Sequence, residues 1–235
     1  MENKSKLLRL LIGLLLTLVV FCASVILGRK FIIHSEFLAS SFMTHALMLV
    51  LSIGLIILMR NHVNYRIAMP QARLLLKPIL YGFLSAVIIN LVMTMLIFAV
   101  GGSLEKHPAL DNSTALQFFF FVFILASVAE EFLFRGFLQN YLKPLRSTGF
   151  TLLGRRISLP VIVGALAFGM AHLVLIFSGV GTMFIIKTLV FTIFLGLIAG
   201  YYQEKYDNHA YAIIVHMSGN LMGLIALMMS NMIHG

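Results

Sequence analysis

Long apolar runs alternate with short polar stretches along the whole chain. Near-continuous hydrophobic segments fall near residues 7–27, 38–59, 79–101, 115–138, 159–179, 182–203 and 210–232. A helix needs about 20 apolar residues to cross the hydrocarbon core of a bilayer. The pattern therefore predicts seven membrane-spanning helices, with no room for a soluble domain. The first run follows Lys4, Lys6 and Arg9 as a signal peptide would. It is too long for one and lacks a small-x-small cleavage site, so it reads as an uncleaved anchor. No internal repeat and no low-complexity tract is visible. The expected fold class is all-α: a polytopic transmembrane helical bundle of about seven spans, three within residues 1–110 and four within 111–235.

Composition supports this. The chain of 235 residues is 60% hydrophobic and 11% charged, with a mean hydropathy of +1.02, far from the range of soluble domains. Cys22, the single cysteine, lies inside the first run, which excludes intrachain disulfides and cysteine-based metal sites.

A net charge of +9 invites a nucleic-acid reading until the cations are placed. Lys4, Lys6 and Arg9 precede the first run, and Arg60, Arg66, Arg73 and Lys77 separate the second from the third. Lys143, Arg146, Arg155 and Arg156 follow the fourth, and Lys205 follows the sixth. These are twelve of the seventeen Lys and Arg residues. The alternate loops hold Arg29, Lys30 and Lys106, while Arg135 and Lys187 fall within runs. By the positive-inside rule the twelve mark the cytoplasmic side, with the N-terminus inside and the C-terminus outside. The basic balance is thus a topology signal, and no nucleic-acid partner is expected. The partner this pattern implies is membrane lipid.

Three runs carry polar residues that hydrocarbon does not favour. "SVAEEFLFRGF" (127–137) places Glu130, Glu131 and Arg135 near the inner end of the fourth; "FGMAH" ends on His172 in the fifth; "HMSGN" carries His216 and Asn220 in the seventh. At about 1.5 Å per residue, Glu130 lies roughly 13 Å above the cytoplasmic boundary, His172 roughly 20 Å, His216 roughly 9 Å and Asn220 roughly 15 Å. Three helices thus aim polar groups into one layer of the inner half of the membrane. The pairs Glu131/Arg135 and His216/Asn220 are four residues apart and share helix faces, and Glu130 points about 100° away from Glu131. Ionisable groups at such depth cost a few kcal/mol each on insertion scales and normally pair, line a cavity or act in mechanism. Interhelical hydrogen bonds alone could explain the Glu131/Arg135 pair, but they explain the whole set poorly. His45 stands alone in the second run and reads as structural. Lys187 lies near a helix end, from which its side chain snorkels.

"EEFLFR", "FGMAH" and "HMSGN" resemble, in order and on separate hydrophobic segments, the E-E-x-x-x-R, F-x-x-x-H and H-x-x-x-N motifs of the CPBP family. This family, also called Abi, comprises the CAAX-processing and bacteriocin-processing intramembrane proteases. The resemblance covers roughly residues 115 to 232. It implies a four-helix catalytic core preceded by extra spans, and hydrolysis of a peptide bond within or beside the membrane. It also implies that Glu130 and His172 handle the nucleophilic water, that His216 and Asn220 stabilise the oxyanion, and that Glu131 and Arg135 support them. The eukaryotic prenyl-protein members have eight spans where this chain shows seven. The stretch "PLRSTGFTLLGRRIS" is too short and basic to cross and is expected on the membrane surface.

Elementary chemistry points the same way. Amide hydrolysis needs a base for water, donors for the developing oxyanion and an acid for the leaving amine. A carboxylate withdrawn from bulk water suits the first and last tasks, and imidazole and carboxamide donors suit the second. The chain has no H-E-x-x-H zinc motif. Asp111 and Asp207 fall in loops, where an aspartyl mechanism would need both inside the membrane. Ser218 lacks the setting of a nucleophile. Glu130, His172 and His216 could instead hold zinc with water as fourth ligand, with Asn220 beside it; the pairing of His216 with Asn220 favours the metal-free arrangement. Two rival readings use the same residues: a non-proteolytic Abi-type membrane protein acting in bacteriocin immunity or as a peptide-binding scaffold, and a proton-coupled transporter. The absence of repeats and the one-sided polar layer weigh against transport.

Overall fold

In the computed structural model, described residues are 2–31, 33, 35–105, 108–111, 113–152, 154–234, without the side chains of 2, 3, 111 and 230–234. His34, Lys106, His107 and Gly235 lie outside this set, as do the side chains of Asp111 and His234. Among the described residues seven long helices appear in chain order: α1 (Glu2–Lys30), α2 (Phe42–Leu58), α3 (Leu76–Ala99), α4 (Ala115–Gln139), α5 (Leu159–Ala171), α6 (Thr182–Tyr206) and α7 (Ala210–His234). Helices dominate because a span in hydrocarbon must satisfy its own backbone polar groups.

Among the described residues six helices are long and apolar enough to cross a membrane, α5 being counted with the 3₁₀ stretch that carries it to Ser178. The expected second span, 38–59, is the exception, since its helix has 17 residues. At about 25 Å it sits at the lower limit of spanning length. Residues 35–41 instead form an irregular segment. Gln117 of α4 donates to the carbonyls of Glu36 and Phe37 at 2.9 and 3.1 Å, and the Phe37 ring packs edge-on against Phe121.

α4 is the centre of the bundle. It touches α1, α2, α5, α6 and α7, and Ala129, Leu133, Phe137 and Leu138 are fully buried along it. Thr114 starts it with a reciprocal cap: its hydroxyl accepts from the Gln117 amide at 3.2 Å, and its own amide donates to the Gln117 side chain at 2.8 Å. Two stretches, Phe118–Ala126 and Phe132–Gln139, are wound as wide π turns around the α-helical Ser127–Glu131. Such winding is rare and marks functional regions. The Arg135 carbonyl accepts from the Asn140 and Gln203 side chains, both at 3.0 Å.

α3 packs on α6 and α7, and α5 packs on α6. The segment expected on the membrane surface contains a short hairpin that the hydropathy pattern did not reveal: β1 (Gly149–Leu152) pairs antiparallel with β2 (Arg155–Ser158), Phe150 opposite Ile157. Its Arg155 donates to the Tyr81 hydroxyl of α3 at 3.0 Å. That hydrogen bond holds the Arg155 guanidinium above its ordinary pKa. At the same basic end, residues 60–71 are tied to the α6–α7 turn. His209 donates its amide to the Arg66 carbonyl at 2.9 Å, Asn208 exchanges two hydrogen bonds with the Ala68 backbone, and Tyr65 meets His209 Nδ1 at 3.0 Å.

Candidate active site

Each motif residue owes its place to one helix. Glu130, Glu131 and Arg135 project from α4 where α-helical winding gives way to the second π stretch. Glu131 and Arg135 are fully buried and bonded, Arg135 Nη1 donating to Glu131 Oε1 at 2.9 Å. The same carboxylate oxygen accepts from His216 Nδ1 of α7 at 2.8 Å. Glu131 therefore joins two helices rather than only bracing its own.

Glu130 points elsewhere, as the 100° offset requires. Its Oε2 lies 3.6 Å from His216 Nε2 and its Oε1 lies 3.4 Å from His45 Nε2. Its side chain keeps 16% of its exposure, against 1% for Glu131. One imidazole thus addresses both glutamates, Nδ1 toward Glu131 and Nε2 toward Glu130.

His172 sits at the C-cap of α5, where the chain tightens into a 3₁₀ turn over His172–Ser178. Its Nδ1 donates to the Phe168 carbonyl at 3.0 Å, which leaves the Nε2 lone pair free. Its ring is close enough to Glu130 for direct electrostatic interaction. Asn220 of α7 donates through Nδ2 to the Ser127 hydroxyl at 3.0 Å. A second amide hydrogen remains available, because a carboxamide nitrogen carries two.

Phe168, the aromatic residue of "FGMAH", is the hub. Its buried ring stands perpendicular to His172 at 4.9 Å, tilts against His216 at 5.3 Å and lies under the Arg135 guanidinium at 4.6 Å. Arg135 Nε and Nη2 have no hydrogen-bond partner, and the ring face offers the cation a partial substitute. Space for the guanidinium depends on Gly196 of α6, where a Cβ would lie 2.5 Å from Arg135 Nη2. Phe168 looked like ordinary core among the apolar residues of its run, and only its place in the motif marked it.

All six expected site residues thus gather around one region, on α4, α5 and α7. Ser127, Phe168 and His45 join them. His45, expected to be structural, is brought against Glu130. Among the described residues no group of three or more His, Cys, Asp and Glu side chains is arranged to hold a metal ion.

Carboxylates, imidazoles and a guanidinium thus meet inside an apolar helical bundle. Residues 112–222 match the family model described as type II CAAX prenyl endopeptidase Rce1-like, in agreement with the CPBP resemblance of the three motifs. Over these residues the chain is similar to CAAX-type intramembrane proteases. Searches of the curated proteins and of the solved structures found no match.

Proposed function

We propose that the chain is an intramembrane endopeptidase that hydrolyses a peptide bond in a membrane-associated substrate with water activated by Glu130 and His172. The observation that carries this reading is the bridging of Glu130 and Glu131 by His216. That contact joins a base, a buried ion pair and a hydrogen-bond donor in one site.

Glu130 removes a proton from water as the oxygen attacks the scissile carbonyl, with the His172 Nε2 lone pair orienting the water. The carbonyl oxygen becomes negative and is met by His216 Nε2–H and the free Asn220 amide hydrogen. Since Glu131 holds the Nδ1 hydrogen, His216 can offer a second one only as the imidazolium. Formal charges then balance: Glu130 and Glu131 against Arg135 and His216. Such neutrality suits a site of low dielectric, where an uncompensated charge is costly. As the C–N bond breaks, Glu130 returns its proton to the leaving amine. Similarity to type II CAAX prenyl endopeptidases makes a prenylated C-terminal peptide the first substrate class to test. Purified protein should cleave an internally quenched farnesylated peptide of that type, and a Glu130→Gln variant should not.

A further inference from the structure

We propose that His45 is a positioning residue for Glu130, so that α2, which lies outside the residues matched by the family model, completes the site. This rests on the proposed function. α2 presents one buried stripe to its neighbours, including Met48, Ser52, Leu55 and Ile56, and His45 continues that stripe in the first turn. Because the helix has 17 residues, its first turn starts deep in the bundle. His45 stands about 20 Å above Leu58, a height comparable with the polar layer.

The imidazole is committed on one side only. Nε2 lies 3.4 Å from Glu130 Oε1, while Nδ1 is buried without a hydrogen-bond partner. These surroundings choose the tautomer. A hydrogen on Nε2 faces the carboxylate and leaves only an unpaired acceptor at Nδ1. The opposite tautomer would set a lone pair against a carboxylate oxygen and bury an unpaired N–H, the costlier arrangement. Glu130 then has Oε1 held from α2 and Oε2 beside His216 of α7. Its plane is fixed from both sides, with one face left for water and His172. A base held in reactive geometry avoids reorientation during proton transfer. His45 touches neither water nor substrate in this scheme and acts through Glu130.

Two measurements test the proposal. With the farnesylated quenched peptide, His45→Phe should lower kcat by about tenfold or more with KM little changed, and His45→Gln, which keeps an N–H donor, should recover most of the loss. An unchanged kcat in His45→Phe, a loss confined to KM, or equal losses in both variants would overturn it. The second measurement needs no substrate. In ¹⁵N-histidine-labelled protein in micelles, the His45 signal, assigned by its loss in His45→Phe, should show a single Nε2–H tautomer that changes in Glu130→Ala. A signal averaged between tautomers, or the same in both proteins, would contradict the proposal. If the peptide is not cut by the wild type, or is cut equally by Glu130→Gln, the proteolytic reading fails and the tautomer measurement still decides on His45.

Discussion

His216 Nδ1 lies 2.8 Å from Glu131 Oε1, and the same oxygen accepts from Arg135 Nη1 at 2.9 Å. The motif pattern presented Glu131 as support for Arg135. Its contact with His216 makes it the element that orients the proposed oxyanion donor as well.

Glu131→Gln should therefore have two effects. Removing one partner of a buried ion pair strands the other and costs about 3–5 kcal/mol, seen as a lower unfolding temperature in detergent. Cleavage should also fall in whatever protein remains folded, because the His216 ring is no longer held. Wild-type turnover in folded Glu131→Gln protein would show that His216 is positioned by something else.

The hydroxyl of Ser127 holds Asn220. Loss of one oxyanion donor costs about 10²–10³ in kcat in other acyl-transfer enzymes, so Asn220→Ala should lie in that range. Ser127→Ala should give a smaller loss of kcat, with KM unchanged. Steady-state kinetics of the two variants checks this ordering.

Much of this site could be read from the sequence because charge and apolar surroundings conflict. Glu130, His172, His216 and Asn220 each stand out in a hydrophobic run, and their depth estimates placed them in one layer. Phe168 is apolar among apolar neighbours, so composition gave it no distinction. His45 lacked a partner on its own helix, and its relation to Glu130 arises only when α2 packs on α4. Ser127 is small and commonplace in membrane helices. The π winding of α4 leaves no periodic trace in a run as uniform as "FFFFVFILA". The hairpin is too short for a hydropathy pattern to reveal. Span lengths were legible to a few residues, except where residues 38–41 leave the second helix.

His209, in the turn between α6 and α7, is pushed down to about 4 by burial. Burial also raises the Tyr65 hydroxyl to about 12, so the phenol stays neutral in its hydrogen bond with His209 Nδ1. As pH falls below about 6.5, the unfolded chain protonates this histidine while the folded protein does not. Stability attributable to His209 should be intact above that pH and decline toward pH 4, by up to about 1.4 kcal/mol per unit. A His209→Gln variant should be less stable at neutral pH and should lack this part of the slope. Thermal unfolding of both proteins from pH 4.5 to 7.5 tests it; parallel slopes would contradict the assignment.

Whether α2 crosses the membrane decides the parity of the topology. With seven crossings and the basic loops cytoplasmic, reporters fused after Lys77 and Arg156 should be active in the cytoplasm, and the same reporter after Gly235 should be silent there. An active C-terminal fusion would mean that the 17-residue helix turns back or that another segment fails to cross.

The central claim is that Glu130 activates water for peptide-bond hydrolysis. Comparative peptidomics of membranes carrying the wild-type protein or the Glu130→Gln variant tests it without presuming a substrate. At equal levels of folded, inserted protein, the account predicts product peptides, with a new terminus at a single bond, that are present with the wild type and absent with Glu130→Gln. Identical peptide profiles, or a product formed equally by both proteins, would contradict it.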